Sequence, residues 1–217
     1  MEEFVDSIDW SIKEIGKLSL PFALRPRISA AEIFPKAELI DIRSQVFGCD
    51  PDYNAWMGGV RNPRPHCENK ELRSCGGHIH VGIQLPKSHS LMENRKQTVL
   101  RLIKAKDLFL GVPSVMMDED TVRRKLYGKA GSFRVARHSP IAYEYRTLSN
   151  FWIRNKTLSA WAYEQTIRAI KFVKDMGDKF EEFMLKDDLE NQIQRCINEG
   201  NVNLSHKLIV RHDLSVV

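Results

Sequence analysis

The sequence predicts an α/β or α+β fold in which helices pack on one face of a sheet. Several segments repeat apolar residues every three or four positions, as amphipathic helices do. Two other segments alternate side chains with the period of two that is typical of strands. Long loops separate these segments, so the pattern indicates the fold class and leaves the strand order open.

The composition is that of a folded protein with a mild excess of positive charge. The chain has 217 residues, of which 42% are hydrophobic, and a formal net charge of +5. This length predicts a single domain over residues 1–217. Because the positive residues are scattered along the chain, binding to nucleic acid is not indicated, and no heptad pattern predicts an oligomer.

Three further features bear on location. No apolar run approaches the ~18 residues that a membrane-spanning helix needs, so no membrane partner is predicted. The N-terminal segment lacks the pattern of a secretory signal, and the four cysteines form no CxxC pair. These features predict a cytoplasmic protein with free thiols.

The predicted elements follow one another along the chain. Residues 3–19 have the spacing of an amphipathic helix, and the proline-containing stretch after Pro21 predicts extended or irregular chain. Residues 49–77 predict a long ordered loop, which we interpret as a functional segment. The remaining elements are, in order, a strand from His78, a helix over about 90–110, a basic glycine-containing loop over 123–134, a strand from Ile141, a helix over about 157–180, and a helical and then irregular segment from Asp187.

The two predicted strands carry polar pairs. Because alternate side chains of a strand share a face, His78 and His80 point the same way, behind the double glycine 76–77, which lets the backbone approach a ligand closely. Glu144 and Arg146 share a face of the second strand. Imidazole and carboxylate groups hold metals, and arginine holds phosphate oxygens bidentately. Together these pairs predict a site for a metal polyphosphate.

Each pair alone has a simpler interpretation. An HxH sequence in a strand is often two surface or hydrogen-bonded histidines, and Glu-x-Arg is commonly an ion pair. The functional interpretation depends on the combination of both pairs with the basic loop in one short chain. Within that loop, Lys129 is a candidate phosphate ligand, and an ordinary solvated charge is an equally good explanation of it.

Four segments of the chain carry a resemblance to a known family. GCDPDYNAW (48–56), GGHIHVGIQ (76–84), RRKLYGKAGSFR (123–134) and YEYRTLSNFW (143–152) resemble the phage-type carboxylate–amine ligases of the phiEco32-like type 2 family. These amidoligases are distant relatives of glutamate–cysteine ligase and glutamine synthetase. The resemblance implies an α+β, glutamine-synthetase-like fold, with a curved, mainly antiparallel sheet and helices packed on one face.

The resemblance also implies a reaction. ATP with Mg²⁺ would phosphorylate a carboxylate, and an amine would attack the resulting acyl phosphate to form an amide or peptide bond. The partners would be small-molecule or peptide carboxylates and amines, and the location would be the cytoplasm of a phage-infected host. The sequence does not identify either substrate.

Roles for individual residues follow from the same resemblance. By this resemblance, Arg146 would hold the transferring phosphoryl group or the acyl phosphate, and Arg124 and Arg134 of the basic loop would neutralise developing charge. Nucleotide binding falls to Gly76, Gly77, His78 and His80, with Lys129 as the added candidate from the basic loop. Metal binding falls to His78 and Glu144, and orientation of the amine falls to Asp50 and Asp52.

The chain departs from the family pattern at its start. Family members typically begin with acidic strands that supply metal-binding carboxylates, whereas this sequence opens directly with a predicted helix. We therefore expect the domain to lack its N-terminal strands and the activity of this chain alone to be impaired.

Two other functions remain open at this point. Five residues, His66, Cys67, Cys75, His78 and His80, lie within fifteen positions and include zinc-ligand types, although their spacing matches no structural zinc pattern. The other alternative is a non-catalytic binding protein built on a degenerate ligase fold.

Overall fold

The structure, a computed structural model, describes residues 1–45, 52–84, 86–118, 122–136 and 141–217. Its strands are β1 (Ala31–Ile33), β2 (Tyr53–Asn54), β3 (Val60–Arg61), β4 (Leu72–Ser74), β5 (Ile79–Ile83), β6 (Ser132–Val135) and β7 (Ile141–Tyr145). Its helices are α1 (Glu2–Ser19), α2 (Arg95–Lys106), α3 (Val112–Met117), α4 (Val122–Leu126), α5 (Lys156–Met176), α6 (Phe180–Leu185), α7 (Leu189–Glu199) and α8 (Val202–His212). The combination of helices with antiparallel sheets confirms the α+β prediction.

The larger sheet has the strand order β3-β2-β6-β7-β5, and each neighbouring pair is antiparallel. β1 pairs with β4 in a separate antiparallel sheet of two strands. In the larger sheet β7 lies between β5 and β6, which makes it the strand with the most complete hydrogen bonding on both sides. Its five residues are all buried, because protein covers both of its faces.

The two faces of β7 have different roles. Tyr143 and Tyr145 point to the helical side, where the ammonium of Lys106, at the end of α2, lies 5.1 and 5.4 Å from their ring centroids. Complete burial lowers the pKa of Lys106 far below its usual value. Glu144 points to the opposite side, where it pairs with polar groups. The alternation predicted from the sequence is confirmed.

A buried carboxylate connects the helices to three parts of the sheet. After α2 the chain makes one π-helical turn, Asp107–Gly111, and Asp107 is completely buried there. Its oxygens accept hydrogen bonds from the Trp56 indole (2.7 Å), the Gly131 backbone N–H (2.5 Å), the Tyr145 hydroxyl (2.8 Å) and the Thr147 hydroxyl (3.1 Å). Burial raises the pKa of Asp107 to about 6, and these donors act in the opposite direction.

Long helices complete the core. α5 packs on both α1 and α2, and Trp161, Ala169 and Val173 lie on its buried face. The predicted N-terminal helix is confirmed as α1, and the helix predicted over 157–180 ends at Met176, where Gly177 adopts a positive φ of 49°. α3 packs on α8, whose Leu208 is buried. Across the described ranges, no helix is long and apolar enough to cross a membrane.

Three predicted segments differ in the structure. The basic loop over 123–134 contains α4 and β6, because Phe133 pairs with Tyr145 and so gains strand hydrogen bonds that its local composition does not reveal. The described part of the loop over 49–77 contains the short strands β2, β3 and β4. The irregular end predicted for the chain is wrong, because Asn201 caps α8 by accepting from the Leu204 N–H.

An apolar groove runs beside β5, an outer strand of the described sheet. It has a volume of about 430 Å³, and Phe4, Val81, Tyr163 and Ile170 are among its lining residues.

Replacement of Asp107 by asparagine tests the role of the buried carboxylate. Both carboxylate oxygens of Asp107 accept hydrogen bonds, and in asparagine an NH₂ group would replace one of these oxygens and face N–H or O–H donors. We therefore expect Asp107→Asn to lower the free energy of unfolding by about 2–4 kcal/mol. Chemical denaturation measures this change. Asp178→Asn, at a fully exposed carboxylate, is the matched control and should change stability by less than about 0.5 kcal/mol. Equal stability of the two variants would contradict the role given to Asp107.

Candidate active site

The polar face of the sheet presents a row of three charged or titratable side chains. The register places Glu144 of β7 opposite His80 of β5 on one side and opposite Arg134 of β6 on the other. His80 is open to solvent, with 70% of its side chain exposed, whereas only 12% of the Glu144 side chain is exposed. The row therefore runs from an exposed edge strand into a mostly buried carboxylate.

Arg146 lies at the buried end of this row. It follows β7 directly, and only 1% of its surface is exposed. Its Nη1 donates to Glu144 Oε1, and its Nε lies 3.4 Å from Asp52 Oδ2. Its guanidinium lies 5.1 Å from the ring centroid of Tyr127. Two carboxylates and an aromatic face thus hold one buried cation in a fixed position.

The Arg146 guanidinium has N–H groups that make no hydrogen bond to the described residues. Among the described residues, neither its Nε nor its Nη2 has a hydrogen-bond partner. A buried N–H group without an acceptor costs on the order of 1–3 kcal/mol, and more when the group is charged. A ligand oxygen that accepts from the unpaired N–H would remove this cost, so the site suits an anionic oxygen.

His78 is locked in place by the same carboxylate. Its Nδ1 lies 2.7 Å from Glu144 Oε1, a separation that requires a hydrogen between the two atoms, so we assign this hydrogen to Nδ1. Burial, together with the positive charges of Arg146, Arg123 and Arg134, lowers the pKa of His78 from 6.5 to about 3. The ring is therefore neutral at pH 7, with its lone pair on Nε2, which has no partner among the described residues.

The double glycine before His78 serves internal packing. A Cβ atom on Gly76 would overlap the His78 ring, and one on Gly77 would overlap the Ser149 carbonyl and the Trp152 indole. Gly77 also accepts a hydrogen bond of 2.9 Å from Trp152 Nε1. The backbone comes close to its own chain here, and this contact fixes the position of His78.

Arg123 holds the backbone at Arg146 in place, a role that the sequence pattern did not suggest. Its guanidinium donates to the carbonyl oxygens of Thr147 (2.8 Å) and Arg146 (3.0 Å). Gly128, with a φ of +75°, leaves space for that guanidinium, since a Cβ atom would overlap it. Tyr127, which stacks against both arginines, was also missed. The four-residue spacing of Arg123 and Tyr127 is the local signal that could have identified the pair.

The structure separates Arg124 from this cluster. Arg124 donates to the Ser114 carbonyl and hydroxyl, each at 3.1 Å, and lies 3.6 Å from Asp118. These partners lie on or next to α3, on the helical side of the sheet. Of the three predicted arginines, Arg146 and Arg134 share the polar face with Glu144, and Arg124 packs against α3.

A cavity of about 370 Å³ opens next to Arg146. Asp52 and Lys129, two of the predicted site residues, both line it. Arg64 and His66 also line it, although the sequence did not suggest Arg64. Asp50, the other residue predicted to orient an amine, lies outside the described residues.

The protein groups left for a metal are few. Within the described ranges, no group of three or more His, Cys, Asp or Glu side chains could hold a metal ion. Among the described residues, the contacts of Glu144 all involve Oε1, and His78 Nε2 has no partner, so Glu144 Oε2 and His78 Nε2 are two candidate metal ligands. The same finding disfavours the zinc alternative, and Cys75 is an exposed free cysteine.

Comparison with known proteins gives one result. The family model described as "Phage phiEco32-like COOH.NH2 ligase-type 2" matches residues 69–203, which is more than half of the chain. This range includes His78, His80, Glu144 and Arg146. No curated protein and no solved structure matches the chain.

The protonation state of His78 provides a direct test of the site geometry. We expect its imidazole to stay neutral down to pH 5, with the hydrogen on Nδ1, because the folded pKa lies near 3. Nitrogen-15 NMR of the side chain measures both properties, and the spectrum of His78→Gln assigns the signal. In denaturant, where the ring is solvated, the same signal should titrate near its usual value of about 6.5. Titration near that value in the folded protein would contradict the geometry.

Proposed function

The chain belongs to the phage phiEco32-like COOH.NH2 ligase-type 2 family, and from that membership we propose that it forms an amide bond after ATP activates a carboxylate. The observation in favour of this reaction is the buried Arg146 guanidinium, whose Nη2 has no hydrogen-bond partner among the described residues and suits an anionic oxygen. Both the carboxylate and the phosphoryl group of such a reaction are anions.

The proposed reaction balances in two steps. A carboxylate oxygen attacks the γ-phosphorus of ATP, the bond to the bridging oxygen breaks, and ADP leaves with the electron pair. The amine nitrogen then attacks the acyl carbon, and the bond from that carbon to the phosphate oxygen breaks. Phosphate leaves with the electron pair and takes up the proton that the nitrogen loses. Such transfers depend on positioning and charge neutralisation more than on covalent help from the protein.

Arg146 would supply much of that positioning. Its Nη2 would donate to oxygens of the carboxylate and then of the acyl phosphate. Asp52, beside Nε, and Glu144, beside Nη1, would hold its orientation. Because the guanidinium is almost completely buried, its charge is less screened than at the surface. Arg134, in the same row, would add positive charge from the neighbouring strand.

His78 and Glu144 would face the nucleotide side of the reaction. The neutral His78 ring offers the Nε2 lone pair, and Glu144 offers Oε2, so one nitrogen and one oxygen are free to interact with a hydrated cation. Mg²⁺ prefers six oxygen ligands, and the described residues do not provide a complete set. Phosphate oxygens and water would therefore have to supply most of the coordination. His80, exposed on the edge strand, would contact the phosphates from the open side.

Nucleotide binding is the first measurable consequence of the proposal. A ligand present at about 100 times its dissociation constant stabilises the native state by about 2.7 kcal/mol, so Mg-ATP should raise the melting temperature by several degrees. We expect His80→Gln to reduce this rise without unfolding the protein, because the side chain is exposed. Arg211→Gln, at an exposed position of α8, is the control and should respond as the parent does.

Carboxylate activation is tested with hydroxylamine as a general amine. A pool of L-amino acids and short dicarboxylic acids serves as the carboxylate source, and hydroxamate formation together with ADP release is the readout. We expect Arg146→Lys to lose at least about 100-fold of this activity, because lysine keeps the charge but lacks the planar donor fork. If the folded parent protein shows no melting shift with Mg-ATP and no ADP release, the proposed function is contradicted.

A further inference from the structure

The cavity beside Arg146 shares its inner wall with the arginine site. Asp52 and Tyr127 line the cavity, and both also contact Arg146, at 3.4 Å for the carboxylate and 5.1 Å for the ring centroid. A ligand in the cavity would therefore lie close to Arg146, beside which the proposed reaction activates the substrate carboxylate.

The cavity wall carries both signs of charge. The acidic group is Asp52, which is 5% exposed, and the basic groups are the exposed side chains of Arg64 and Lys129. A buried carboxylate attracts an ammonium group and repels phosphate oxygens. A guanidinium and an ammonium at the mouth attract a carboxylate. The arrangement fits a zwitterion better than a simple anion.

The wall that holds Arg64 is stiff. Arg64 lies between Pro63 and Pro65, whose rings fix the backbone φ angles on both sides. The segment is also tied to the acidic group, because Asn62 donates to the Asp52 carbonyl oxygen through its backbone N–H and to Asp52 Oδ1 through its side chain, each at 2.8 Å. A stiff wall loses little conformational entropy when a ligand binds.

The size of the cavity limits its ligand. Its volume of about 370 Å³ is near the lower end of the ~300–1,000 Å³ that is typical of small-molecule sites. The neutral polar side chains of Asn54, Asn62 and Ser132 are also part of the lining. A single polar metabolite suits this space, whereas a complete nucleoside triphosphate would be large for it.

We propose that this cavity binds the amine substrate of the ligation as an α-amino acid, with the ammonium group on Asp52 and the α-carboxylate on Arg64 and Lys129. The inference rests on the proposed function and deepens it by naming the class of acceptor. It also gives Lys129 a carboxylate as its partner, in place of the nucleotide phosphate predicted from the sequence.

The coupling step balances with these groups. The ammonium gives one proton to the Asp52 carboxylate, and the nitrogen lone pair attacks the acyl carbon held beside Arg146. The bond from that carbon to the phosphate oxygen breaks, and phosphate leaves with the electron pair. The phosphate takes the second proton of the nitrogen, and Asp52 returns the first proton to solvent. The product is an N-acyl amino acid with a free α-carboxylate.

The test measures binding to the intact chain without ATP. Each of the common L-amino acids is titrated calorimetrically and compared with its N-acetyl derivative and its decarboxylated amine. We expect at least one amino acid to bind, N-acetylation to abolish binding, and decarboxylation to weaken it about tenfold or more, since each change removes one charged contact.

Two matched variants locate the binding. Arg64→Gln should weaken the amino acid about tenfold, and Arg61→Gln, at an exposed arginine of β3 that is not among the lining residues, should leave it unchanged. Both positions are exposed, so neither change should prevent folding. Equal binding by the two variants, or no amino acid bound by the parent, would overturn the proposal. Arg64-dependent binding of inorganic phosphate with no amino acid bound would also overturn it.

This result is separable from the proposed function. Hydroxylamine needs no amino-acid site, so hydroxamate formation without amino-acid binding would reject the cavity assignment and leave the ligase proposal standing. Arg64-dependent amino-acid binding without hydroxamate formation would count against the ligase proposal. It would leave the cavity as an amino-acid site with no assigned part in a ligation.

Discussion

The buried carboxylate of Asp107 is the constraint on which the rest of the structure depends. One side chain at a π-helical turn accepts hydrogen bonds from the Trp56 indole, the Gly131 backbone and the Tyr145 and Thr147 hydroxyls, and so fixes three separate chain segments against the helices. A buried charge must be paired or hydrogen-bonded, which leaves these segments little freedom to shift. Because Arg146 lies between Tyr145 and Thr147 in the sequence, its position follows from the same bonds.

The sheet separates two kinds of buried charge. On its helical side, Lys106 is surrounded by tyrosine rings and its amine is forced toward the neutral form. On its polar side, Arg146 keeps its charge, because a guanidinium is not deprotonated in proteins and two carboxylates face it. Arginine is thus the residue that can present a permanent positive charge at a site with almost no solvent contact.

Local patterns in the sequence predicted part of this site. The alternation of His78 with His80 and of Glu144 with Arg146 depends only on strand geometry, and the shared face follows from it. The antiparallel register that sets Arg134 and His80 opposite Glu144 depends on strand order, which periodicity does not specify. Arg123, Tyr127 and Asp107 were missed because their roles arise from contacts between distant segments. Arg124 resembled its neighbour Arg123 in sequence, yet a helical turn directs the two side chains to different sides.

In the proposed reaction, a carboxylate is activated by phosphorylation next to Arg146. Phosphorus-31 NMR with a carboxylate substrate labelled with oxygen-18 tests this step. The carboxylate oxygen that attacks phosphorus stays on the phosphate when the bond from the acyl carbon to that oxygen breaks. An acyl-phosphate mechanism predicts that one labelled oxygen appears in inorganic phosphate and that ADP is the nucleotide product. Label in AMP would mean that the carboxylate is adenylated, and unlabelled phosphate would mean that ATP is hydrolysed by water alone. Either of those results would contradict the acyl-phosphate mechanism.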